Sequence, residues 1–307
     1  MDSFLQSGEF HSALCAFLWA IAIILFRKAG QHTTPVVLNL FKNLLGLGFL
    51  VLTLLILGHP IIDSARHYSD WAILLLSGAI GIGVADTLLF ASLNRLGAGR
   101  SAITECMYSP FVVLCSVLYL REPVSGYLII GLLLTVGAIL IGAWNPSSRS
   151  EAMSNKTLMH GTLLGVSSAF LMAFGIVIAK PVLDNLPRES VWWATAVRMA
   201  GGIILLLVQA SFRKHRQDVK AAFFNPQAWR IVVPAAFVGS YLATYFWISG
   251  FKYTYASVAS ILNQLSYIFV MIFATLLLRE KLTARKIVAI FFGFIGSVTV
   301  VLAHQLA

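Results

Sequence analysis

Charge is what this sequence has least of. Asp, Glu, Lys and Arg make up 11% of its 307 residues, against about 25% in ordinary soluble domains. Hydrophobic residues make up 59% and mean hydropathy is +0.85, so too few polar residues remain to coat a globule of this size. That excludes a soluble enzyme, a disordered tail and a nucleic-acid-binding domain. Acidic residues are scarcest, 12 against 22 Lys and Arg, for a net charge of +10. The basic excess lies between long apolar runs, where it sets membrane orientation and meets anionic headgroups. Cysteine is nearly absent. Cys15, Cys106 and Cys115 fall inside apolar runs without metal-ligand spacing, and read as small core residues. The sequence holds no Walker-type loop for ATP and no His-Glu-x-x-His for zinc. His11, His59, His67, His160, His215 and His304 lie at run ends or in loops. No cofactor, metal or catalytic site is therefore expected, and a gradient must drive any work done.

Apolar runs are abundant. A helix needs roughly 20 such residues to cross about 30 Å of hydrocarbon. Ten runs qualify: about 11–27, 34–57, 71–93, 100–120, 124–144, 158–179, 190–211, 230–250, 256–278 and 282–303. The first is not a cleavable signal peptide, because Asp2 and Glu9 lead it and Arg27-Lys28 follow it. The longest connections are 145–157, polar and Pro/Ser-bearing, and 212–229, which is basic. The first divides the chain into halves at 1–145 and 158–307, with 146–157 as linker.

The halves repeat. Tyr119-Leu120-Arg121-Glu122-Pro123 ends span four, and Leu277-Leu278-Arg279-Glu280-Lys281 ends span nine, 158 positions later. The same offset aligns Phe111-Val112 with Phe269-Val270 and Ile103 with Ile261. A similar one aligns Leu18–Lys28 with Phe170–Lys180. A five-span unit, once duplicated, must enter the membrane upside down the second time, and inverted repeats are a transporter signature. The expected fold is an all-α integral membrane protein, ten transmembrane helices as two inverted five-helix repeats.

Ten spans as five plus five, short loops and the Leu-x-Arg/Gly-Glu-x-(Leu/Val) endings resemble the drug/metabolite transporter superfamily, EamA-like branch. The stretch Gly83-Val84-Ala85-Asp86-Thr87-Leu88-Leu89-Phe90 through Leu96-Gly97-Ala98 is similar to span three and its exit loop in one subgroup. The resemblance covers almost the whole chain. It departs at Ser109-Pro110, where many members place Glu-Pro. It departs again in span one, which lacks the proton-coupling Glu of the four-helix relatives. The resemblance implies a permease in the inner (cell) membrane that exports small metabolites such as amino acids, with both termini cytoplasmic.

Ionisable residues at membrane depth each need a reason, since insertion costs at least about 2.5–3.5 kcal/mol apiece. Four stand out: Lys42, Asp86, Glu105 and Arg198. At about 1.5 Å of rise per residue, the first three lie roughly 8–12 Å in from loops on one membrane side, at a shared depth. If they meet, Lys42 pairs one carboxylate and leaves the other to hold a proton or a cationic amine. The alternatives are an ion pair that only fixes packing, or Asp86 capping a break in span three after Gly78, Gly81 and Gly83. The 158 offset sets Asp86 opposite Thr244 and Glu105 opposite Asn263, which Gln264 follows. Lys42 falls near Arg198. Arg198 either holds a substrate carboxylate through its planar fork or bonds backbone carbonyls.

Polar stripes at i, i+3, i+4, i+7 spacing mark faces that avoid lipid. They comprise Asn39, Lys42, Asn43 and Gly46, then Ser101, Glu105, Tyr108 and Ser109, then Ser260, Asn263, Gln264 and Tyr267. They line either a solute path or interhelical hydrogen bonds. Tyr241 and Tyr245 share a face in span eight and wall a site for a planar or cationic substrate, or simply pack. Trp192-Trp193 begins span seven and reads as an interfacial belt.

Loops after odd-numbered spans hold 15 Lys and Arg against five elsewhere outside the membrane. The positive-inside rule then puts both termini outside, opposite to what the resemblance implies. The expected partners are a small-molecule substrate, the lipid bilayer and, in one version, protons, but no nucleic acid, with the chain a monomer or homodimer. A polyspecific exporter of cationic drugs and a lipid flippase are the competing readings.

Overall fold

A computed structural model describes residues 5–29, 34–63, 66–143, 154–212, 226–277 and 283–305. Every regular element among them is helical. In chain order these are α1 Gly8–Ala29, α2 Pro35–Ile56, α3 Tyr68–Gly97, α4 Arg100–Leu120 and α5 Gly126–Ala143. The second half holds α6 Asn155–Asn185, α7 Val191–Ser211 and α8 Trp229–Tyr253. It ends with α9, Ala256–Asn263 and Leu265–Leu277 about a one-residue break, and α10 Ala284–Gln305. Nine are long and apolar enough to cross a membrane, and α5 supplies a shorter apolar helix over Gly126–Gly142. The exit from α3 is a kink at Gly97, whose φ of 75° suits a residue without a Cβ.

The sequence expectation places span six at about 158–179. The helix instead continues to Asn185, because Lys180 reaches forward to pair with Asp184. Pro181 is accommodated within it, with the Asn185 side-chain amide donating to the Pro181 carbonyl at 2.9 Å.

The two halves echo each other at the 158 offset in ways the residue types do not reveal. Residues Ala79–Ala85 of α3 wind as a π-helix, and so do Phe237–Ala243 of α8, positions 79 and 85 becoming 237 and 243. The break in α4 falls at 106–107 and that in α9 at 264, and 106 plus 158 is 264. The two break residues touch: Gln264 Nε2 donates to the Cys106 carbonyl at 3.2 Å. Packing between halves is reciprocal. Helix α3 lies on α6 and α7, as α8 lies on α1 and α2; α4 meets α6 as α9 meets α1; and α2–α7, α4–α9 and α5–α10 pair mate with mate. That is the arrangement a two-fold axis through the α4–α9 crossing requires.

Helices α3 and α7 approach backbone to backbone. A Cβ on Gly78 would sit 1.6 Å from the Arg198 carbonyl oxygen, and one on Gly201 2.1 Å from that of Leu75. The core runs through α2–α4 and α6–α9, with Leu50, Leu74, Ile176, Leu183, Met199 and Leu206 fully buried. Large apolar side chains such as Ile287, Phe291, Phe294 and Val298 of α10 point outward, toward lipid. A shallow apolar groove of about 620 Å³ follows that same face.

The Tyr119-Leu120-Arg121-Glu122 ending of span four has a structural task. Arg121 turns the chain out of α4 in the left-handed region (φ 56°). The Glu122 carboxylate then accepts from Ala256 N at 2.6 Å, Ser257 N at 3.0 Å and Ser257 Oγ at 2.7 Å. It caps the first turn of α9, where free amides and the helix dipole favour negative charge. Glu122→Ala should cost about 2 kcal/mol, read as a lowered melting midpoint in detergent with helix content unchanged below the transition. A midpoint equal to wild type would show the cap to be dispensable. The corresponding Glu280 lies outside the described residues.

Candidate functional site

Lys42 stands on the face of α2 that meets the π-helical turn of α3. Asn39 Nδ2 donates to the Ile82 carbonyl at 2.8 Å and to Thr87 Oγ1 at 3.3 Å. Asn43 Nδ2 donates back to the Asn39 carbonyl at 2.9 Å and to Asn39 Oδ1 at 2.8 Å. This ladder sets α2 against α3 so that Lys42 Nζ lies 2.8 Å from Asp86 Oδ2, with both side chains buried. The ammonium also lies 5.9, 5.9 and 5.8 Å from the ring centres of Trp19, Phe26 and Phe90. Carboxylate and aromatic faces together enclose the ammonium. Asp86 does not cap a break: helix runs through it from the π segment, and it makes no capping hydrogen bond. Wide turns keep the backbone bonded there, so no free amide is left for a cap.

Lys42 thus takes Asp86 and leaves Glu105. Among the described residues, Glu105 Oε1 is buried with no hydrogen-bond partner. It lies within electrostatic range of Asp86, Tyr108 and Tyr267. Asn263, its mate across the two-fold axis, has neither amide atom partnered, and Gln264 Oε1 is likewise unpartnered among the described residues. The polar stripes of α4 and α9 therefore face each other. Hydrogen bonding between helices accounts for part of them, since Ser109 Oγ donates to the Ser260 carbonyl at 2.9 Å. It does not account for Glu105, Tyr108 Oη or Asn263.

Arg198 projects from α7 against α3. It is 1% exposed, and its Nε donates to Ser77 Oγ at 2.7 Å. Ser77 Oγ in turn donates to the Gly175 carbonyl. The guanidinium carbon sits 4.5 Å over the Trp247 ring. Neither Nη1 nor Nη2 has a partner among the described residues, so the backbone-carbonyl alternative for this side chain is not what the fold provides. Asp86 and Tyr108 lie within electrostatic range of it.

Tyr241 and Tyr245 are brought together by Trp192. The indole stacks on Tyr245 at 3.6 Å and 13°, and on Tyr241 at 5.7 Å and 28°, while Tyr241 Oη bonds Thr53 Oγ1 at 2.7 Å. Of the pair Trp192-Trp193, expected as an interfacial belt, Trp193 does not face outward. Trp193 is 3% exposed and meets Trp71 edge-on at 4.9 Å, because α7 turns that face into the bundle. Sequence reasoning missed Ser77, and missed the cage of Trp19, Phe26 and Phe90. The signal was present for Phe90, four residues beyond Asp86, and for Trp19 and Phe26 at i, i+7, both spacings that share a helix face.

The EamA-like transporter family matches residues 6–143 and again 159–302. Protein PecM of Dickeya dadantii (strain 3937) is 25% identical over 225 residues, 73% of this chain and 71% of PecM. A protein of known crystal structure shares the fold with a TM-score of 0.77. The match covers 96% of this chain and 98% of that one at 14% identity.

Proposed function

This chain belongs to the EamA-like transporter family; it is a multi-pass membrane transporter, and we propose that it exports small polar or amphipathic metabolites, amino acids being the most concrete case. In this reading two repeats, 1–145 and 158–307 joined by 146–157, alternate access across the inner membrane, as monomer or homodimer, without enzymatic chemistry. Glu105, Asp86, Lys42, Asn263, Gln264, Arg198, Tyr241 and Tyr245 form the binding and coupling region.

The observation that carries the reading is Glu105, a carboxyl with a buried oxygen that has no partner among the described residues, beside the α4–α9 crossing. A buried carboxyl oxygen without a partner is costly unless a proton or a cationic solute completes it in part of a cycle. Its mate Asn263 offers a neutral amide in the same position of the other repeat. Exchange of one partner for the other suits a cycle in which the repeats trade roles.

The second reading, export of cationic drugs, draws on the Trp192–Tyr245–Tyr241 stack. The test is proton flux in proteoliposomes carrying an internal pH dye, on adding pools of amino acids, organic cations or sugars. Flux with amino acids is the expected outcome. Flux with organic cations alone supports the second reading. Silence with every pool, together with scrambling of labelled phospholipid, would replace the solute reading with a flippase.

A further inference from the structure

We propose that Arg198 and Tyr108 form an anion pole in the transport site, so that the solute is a zwitterion with one free carboxylate and one ammonium. The inference rests on the solute-transport reading above and specifies its substrate. A guanidinium removed from water is costly unless paired and fully hydrogen-bonded. Arg198 is 1% exposed and, among the described residues, keeps Nη1 and Nη2 without a partner.

The rest of the fork is held firmly. Its Nε is tied to Ser77 at 2.7 Å, the Ser77 hydroxyl is committed to Gly175, and Trp247 covers the guanidinium at 4.5 Å. Space for the Nη end is made by Gly81 in the π-helical turn of α3, where a Cβ would lie 2.8 Å from Nη2. Two N–H groups side by side on a fixed plane suit the two oxygens of a carboxylate. Tyr108 adds a donor: its Oη is buried without a well-formed hydrogen bond among the described residues, next to Trp247 and within range of both Arg198 and Glu105.

Charge balance selects the class. Lys42 is spent on Asp86, so this cluster offers one unengaged cation, Arg198, and one unengaged carboxyl, Glu105. The four charges sum to zero, and a zwitterion preserves that sum. A phosphate dianion would leave a surplus negative charge, and a simple amine would leave Arg198 unpaired.

The experiment is uptake of a radiolabelled mixture of L-amino acids by proteoliposomes of the full chain, preloaded with the unlabelled mixture. Competitors outside are unlabelled amino acids, their carboxamides, the corresponding decarboxylated amines, or glycerol phosphate. Amino acids should compete at least about tenfold better than carboxamides, amines or the phosphate ester, since a site built to bond a polar group rejects the analogue lacking it. Tyr108→Phe, which removes one hydroxyl and keeps the ring, should raise KM about tenfold with a smaller change in kcat. Arg198→Lys should raise it further. Equal competition by carboxamides, or a wild-type KM in Tyr108→Phe, overturns the anion pole and leaves the transporter reading standing. Uptake of organic cations or sugars but not of amino acids overturns the pole and the amino-acid case together. No uptake of any of these solutes overturns the solute-export reading on which the pole rests, and the pole with it.

Discussion

Glu105→Gln should abolish solute-driven proton flux, lowering it at least about tenfold, and should flatten the pH dependence of solute exchange between about pH 5 and 8. Glutamine keeps the shape and a hydrogen-bonding oxygen for the solute ammonium but takes up and releases no proton, so solute held at its carboxylate end by Arg198 still exchanges while proton movement is lost. The groups around it are Asp86, Tyr108, Tyr267 and Cys106. Asp86 is already bound to Lys42, and the tyrosines and the thiol are neutral over that range. The measurement is internal pH-dye flux beside counterflow of labelled solute, in the same vesicles. A variant with unchanged pH dependence would remove Glu105 from coupling.

Lys42→Met should destabilise the protein by about 3–5 kcal/mol, because it strands the Asp86 carboxylate in a buried site. The stranded charge would face the space left among the Trp19, Phe26 and Phe90 rings, which carry no positive charge to replace the ammonium. Asp86→Asn should cost a similar amount by stranding the ammonium, softened by the three ring faces that remain. The double variant Lys42→Met/Asp86→Asn should recover most of the loss, since exchanging a buried ion pair for neutral groups of similar size is often close to neutral. Detergent melting midpoints of the four proteins form a double-mutant cycle. A double variant as unstable as either single one would show that the two residues act separately.

Local and long-range features were not equally legible. The ten spans were readable because membrane helices are recognised run by run, each satisfying its own backbone. Yet α6 overran its expected end by one Lys–Asp pair at i, i+4, since a charged residue marks a membrane surface only when nothing nearby neutralises it. The 158 offset came from a few shared residues and reappears in the π turns of α3 and α8 and in the contact between Cys106 and Gln264. Side chains around the candidate site divided similarly. That Lys42, Asp86 and Glu105 share a depth follows from counting residues along helices. Which carboxylate Lys42 takes does not.

From the sequence by itself come the membrane environment, the ten helices, the doubled unit and the short roster of polar residues that must avoid lipid. All of these depend on run length, composition and spacing along single helices. Tertiary structure alone decided that Lys42 goes to Asp86 within an aromatic cage, that Glu105 and the Arg198 fork stay open, that Trp193 turns inward, and that Glu122 caps a helix of the other half. Each of these depends on how helices rotate and cross. That is set where backbones meet at Gly78 and Gly201, by packing between segments more than 100 residues apart, and no local pattern in either segment records it.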